Sequence, residues 1–108
     1  MKGFKSNIEK DTLKNENFRK VLYTSKHLQL VLMTLKTGEE IGEEVHISVD
    51  QFFRFESGRG KCIIDGNEYI IADGDVIIVP AGSKHNVINT TKKDAGLNDV
   101  EFDGKTTE

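Results

Sequence analysis

The stretch from Gly74 to Asn89, GDVIIVPAGSKHNVIN, constrains the fold more than any other part of this chain. Gly74-Asp75 signals a turn, and the β-branched run 76–79 that follows reads as a buried strand. Pro80-Ala81-Gly82 stops it, because proline cannot donate to a ladder and glycine permits a tight turn. His85 follows three residues past Gly82. If 85–88 is a strand, His85 and Val87 share one face, and Asn86 and Ile88 the other. A histidine delivered by a rigid turn beside an apolar face is either a hydrogen-bonded core residue or a ligand or acid–base group. The upstream sequence weighs between these.

Upstream, residues 1–17 are polar and read as an irregular arm with a short strand or helical turn near Ile8. Residues 18–23 read as a strand. The run 27–36, HLQLVLMTLK, is the strongest strand of the first half. It is apolar on both faces, so it is central, doubly covered or part of a dimer interface; a helix competes there, since Leu and Met are good helix formers. His27 reads as a solvated or capping residue. Residues 41–49 carry Glu44 and His46, two apart on a strand and so pointing the same way. The segment 50–56, DQFFRFE, alternates, with Gln51, Phe53 and Phe55 on one face. Asp50 and Arg54 lie on or near the other face, where they could form a surface pair. Asp65-Gly66 between 61–64 and 67–71 is a two-residue hairpin signal. After Asn89 the chain turns polar, and only Leu97, Val100 and Phe102 break that; 100–102 could supply a last edge strand. Short strands between glycine turns, without a helical period, indicate an all-β sandwich or barrel. The expected division is an N-terminal arm at 1–17, a barrel at 18–90 and a polar C-terminal segment at 91–108.

The 108 residues suffice for one domain with a real core. A formal net charge of −3 argues against duplex nucleic acid as partner. No apolar run is long enough for a membrane span, and no secretory leader is visible. The lone Cys62 cannot form an internal disulfide and lies in an apolar run, so it reads as a buried small hydrophobe in a reduced, cytoplasmic setting.

Two spacings carry a resemblance. From Gly38, five residues lead to Glu44, one to His46, four to Gln51 and six to Gly58. From Gly74, five lead to Pro80, one to Gly82, two to His85 and three to Asn89. This pattern resembles the two motifs of the cupin superfamily over residues 28 to 89. The second motif matches at every fixed position. In the first, Glu44 stands where the family has a histidine and Gln51 where it has a glutamate. Most similar are small single-domain cupins with EEVH and DQFFRFESGRG-like segments, some of which carry a label borrowed from mannose-6-phosphate isomerase. The resemblance implies a single-domain cupin double-stranded β-helix, a jelly-roll barrel.

It also implies a metal site. In a barrel, alternate residues face the lumen. There Glu44, His46 and His85 would make a 2-His-1-carboxylate set. Gln51 would add a neutral oxygen ligand or hold a metal-bound water. Iron, manganese, nickel or zinc would all suit these donors. The expected function is binding, or acting on, a small polar molecule through a divalent metal, as a dioxygenase or isomerase type if it is an enzyme, with Glu44 as a base if it leaves the metal. The alternative is a non-catalytic small-ligand binding or sensing barrel without catalytic metal, which the altered ligand set favours slightly. Against these readings, Glu44 could be one more solvated charge of the EEIGEE cluster, His46 a satisfied lining residue and Gln51 a structural amide. The apolar strand at 28–35 also leads to the expectation of a homodimer, by pairing across a two-fold axis.

Overall fold

The computed structural model describes residues 2–91 and the backbone of 100–107. Strands dominate. One helix, α1 (Ile8–Lys14), is followed by β1 (Arg19–Thr24), β2 (Leu28–Leu35), β3 (Gln51–Ser57), β4 (Gly60–Ile64), β5 (Asn67–Ile71), β6 (Val76–Val79), β7 (His85–Ile88) and β8 (Val100–Thr107). They form a five-stranded sheet in the order β1-β2-β8-β3-β6 and a three-stranded sheet in the order β5-β4-β7. Between the sheets lies a core of Leu35, Phe53, Phe55, Cys62, Ile71, Val79 and Val87. This is the expected all-β barrel of two facing sheets.

Local chemistry accounts for most elements. Along β3, Gln51, Phe53 and Phe55 are buried while Phe52 and Arg54 are less so, as the alternation requires. The β4–β5 hairpin turns through Asp65 (φ 47°) and Gly66 (φ 82°), the left-handed pair a two-residue turn needs. Gly60 has a different role: a Cβ there would collide with the backbone carbonyl oxygen of Ile88, so only glycine lets β4 pass so close to the end of β7. The arm is ordered around α1. Asn7 caps the helix by accepting from the Lys10 amide (2.9 Å). At its end Asn15 is clamped to β2: the Thr34 hydroxyl donates to the Asn15 carbonyl (2.8 Å) and accepts from the Asn15 side-chain amide (3.0 Å).

This architecture decides one open alternative, since β2 is doubly covered, and corrects three expectations. β2 is apolar on both faces because α1 and the chain before it cover its outward side, with Phe4 and Ile8 beside Leu28 and Leu30. Its pattern therefore calls for no partner subunit. The 100–102 strand is longer and lies inside the sheet, antiparallel to both β2 and β3, rather than at an edge. The edges of this sheet are instead β1 and β6, and on β6 Val76 and Ile78 stand about half exposed, so the run 76–79 is buried on one face only. Finally, 41–49 is not a regular strand. Residues 38–46 run antiparallel to β7, bridged at Glu40↔Ile88 and Glu44↔His85. Four steps of that segment thus oppose three of β7, which is a bulge. Gly42 (φ 88°) absorbs it, and its amide donates to Asn86 Oδ1 (3.0 Å).

Candidate metal centre

His85 sits at the first position of β7, where backbone bonds tie it in both directions to Glu44 (2.9 Å each). Its side chain is fully buried. Nδ1 lies 3.1 Å from the Ser83 carbonyl oxygen, which can only accept, so in the neutral ring Nδ1 carries the proton. Nε2 is left with its lone pair, buried and without a hydrogen-bond partner. It faces Glu44 Oε2 at 3.8 Å. A buried lone pair facing a half-exposed carboxylate oxygen is an arrangement that a cation between them would satisfy.

The bulge at Gly42 re-aims the segment so that Glu44 and His46 turn to the same place. His46 Nε2 lies 3.4 Å from Glu44 Oε2, and the two imidazole centroids are 5.7 Å apart. One ligand atom from each of Glu44, His46 and His85 falls within a common 4.8 Å, a spacing in which a metal ion could be held. Glu44 and His46 are partly exposed, so the centre opens toward solvent on that side. Gln51, at the start of β3, lines the same 320 Å³ cavity as Glu44 and His46. It is buried, and its Oε1 has no partner. The cavity's apolar wall comes from Phe18, Val31, Met33, Ile41, Val49 and Phe53.

Of the four sequence-predicted residues, Glu44, His46 and His85 bring ligand atoms together, while Gln51 lines the cavity of Glu44 and His46 with an orphaned acceptor. His27 is exposed, as expected. Asp50 and Arg54 do not pair. Asp50 Oδ1 accepts from the Ala81 amide (2.8 Å), bracing the turn before His85, while Arg54 bonds Glu56 (3.0 Å). Asn89 is a buried clamp, donating to the Leu35 carbonyl (2.9 Å) and accepting from the Thr91 amide (2.9 Å). Cys62 is fully buried, and burial pushes its thiol up to about 11. The sequence did not point to Arg19 and Gln29, which also line the cavity. Nothing in a mixed polar strand marks which of its residues will face a lumen.

Comparison with known proteins agrees with this geometry. Residues 31–101 match the family model described as Cupin domain. The uncharacterized protein YrkC of Bacillus subtilis (strain 168) is 45% identical over 95 residues, covering 82% of this chain and 51% of its own. The chain spans about half the length of the curated relatives it matches. Among solved structures, BH2720 from Bacillus halodurans superposes with a TM-score of 0.91 at 35% identity, over 98% of this chain and 81% of that one. A predicted oxalate decarboxylase from Thermotoga maritima does so with a TM-score of 0.66 at 25% identity, over 73% and 64% of the two chains. With the double-motif spacing, the two-sheet barrel and the converging His/Glu cluster, these matches establish that this chain belongs to the cupin family.

Proposed function

We propose that this chain binds a divalent metal ion through Glu44, His46 and His85, with Gln51 as a neutral oxygen donor, and thereby holds a small polar molecule in the barrel lumen. The observation that carries this is the buried, unpartnered Nε2 of His85, fixed as an acceptor by the Ser83 carbonyl and aimed at Glu44. A structural histidine would have its second nitrogen satisfied. The donor set suits iron, manganese, nickel or zinc. Such an ion, when bound, supplies Lewis acidity toward a ligand oxygen. The protein's own part is to orient the imidazoles, keep one side of the centre dry behind Phe53, and leave the other open toward the cavity. A non-catalytic binding or sensing barrel is the second reading. It is favoured by Gln51, which withholds the second carboxylate that would help neutralise a dication. The half-exposed Val76 and Ile78 of edge strand β6 support a homodimer.

Cobalt(II) titration followed by visible absorption tests the site, because the d–d bands report ligand number and geometry. A saturable spectrum with one equivalent of cobalt is expected, and its loss in His85→Ala. A spectrum indistinguishable from free aqueous cobalt would overturn the proposal.

A further inference from the structure

The cavity lining carries two chemically distinct sets of groups: Glu44, His46 and the buried Gln51, and the exposed Arg19 of β1. Arg19 opposes Met33 across the β1–β2 ladder, and directly opposed residues share a face, so its side chain stands on the lumen side. It is held there. Its Nη2 donates to Gln29 Oε1 (3.3 Å), and Gln29 Nε2 donates in turn to Thr24 Oγ1 (3.2 Å), which fixes the amide with its oxygen toward the guanidinium. A guanidinium carries five N–H donors, so one bond to Gln29 leaves most of its fork available. Among the described residues no carboxylate pairs with Arg19.

Charge points the same way. Because position 51 is an amide, a dication in the proposed site meets one carboxylate, Glu44, and the centre keeps a net positive charge. Arg19 adds a second positive group to the same small volume. The rest of the lining is largely apolar and includes Met33 and Phe53. We propose that Arg19 is the specificity-determining residue of this cavity, anchoring a carboxylate of a small ligand whose opposite end offers an oxygen donor to the metal; this rests on the metal site proposed above. The ligand class is a short dicarboxylate, or an oxo or hydroxy acid of similar length. The planar fork suits a carboxylate in bidentate fashion, which a lysine cannot reproduce.

The test uses the cobalt-loaded full chain, with glutarate and its monomethyl ester titrated calorimetrically into wild type, Arg19→Gln and Arg19→Lys. Cobalt stoichiometry is measured on the same samples. In wild type the diacid should bind about tenfold or more tightly than the ester, as a charge-assisted bond is worth. In Arg19→Gln that difference should vanish, and in Arg19→Lys it should be partly restored. Wild type that binds both alike or neither, or an Arg19→Gln variant that still prefers the diacid, overturns the assignment while leaving the metal site standing. Failure to take up cobalt sinks the metal site, and this two-ended ligand with it.

Discussion

At position 51 the chain carries an amide where the cupin pattern has a carboxylate, and that exchange sets how strongly the proposed site can hold a cation. Ligand charge is a main determinant of cation affinity. Gln51→Glu should therefore tighten cobalt binding by roughly tenfold, and calorimetric titration would show it. An unchanged affinity would mean that the position-51 side chain stays away from the ion. Cys62 tests the interior. With its thiol at about 11 against an ordinary 9.0, the folded chain resists forming the thiolate. It should react with a thiol reagent at pH 8 only as fast as the barrel opens, and at once when denatured. Since the folded value lies above the unfolded one, this group's contribution to stability is full below about pH 9 and is lost as pH rises toward about 11. Fast labelling of native protein at pH 8 would show that Cys62 is accessible.

At the scale of elements, the β4–β7 contact depends on Gly60, because the Ile88 carbonyl occupies the place of a Cβ. Gly60→Ala should cost about 1–3 kcal/mol by forcing the strands apart, seen as a lower urea midpoint with the fold retained; an unchanged midpoint would contradict so close an approach. Elements like this show where sequence is informative. β3 was readable because a half-buried strand alternates, and the β4–β5 hairpin because Asp65-Gly66 can adopt left-handed backbone. Gly74 to Asn89 placed His85 correctly because proline and glycine fix a turn locally. The interior place of β8 was not readable. Its ladder with β2 and β3 is made by backbone groups, which hydropathy does not report, and its polar sequence suggested an edge. The Gly42 bulge was likewise hidden, since it arises from a register between 38–46 and β7 that only the folded chain defines. The convergence of Glu44, His46 and His85 survived that error because a bulge shifts register without removing the residues from the ladder. Arg19 escaped notice because its role depends on which side of β1 meets the lumen.

For the whole molecule, the four donors of the proposed centre come from three places in the chain: the bulged segment, the start of β3 and the start of β7. No helix among the described residues is long and apolar enough to cross a membrane. The exposed β6 edge predicts self-association: sedimentation at micromolar concentration should give a homodimer that Ile78→Lys splits, and a monomeric wild type would contradict it. The central claim is that the barrel holds a metal, and elemental analysis tests it most directly. The protein would be purified without a His-tag or chelator, beside a His46→Ala/His85→Ala double variant of comparable stability. Near-stoichiometric iron, manganese, nickel or zinc in the wild type, absent from the double variant, is the expected result. Metal-free wild type that also takes up none of the four on addition would contradict the claim.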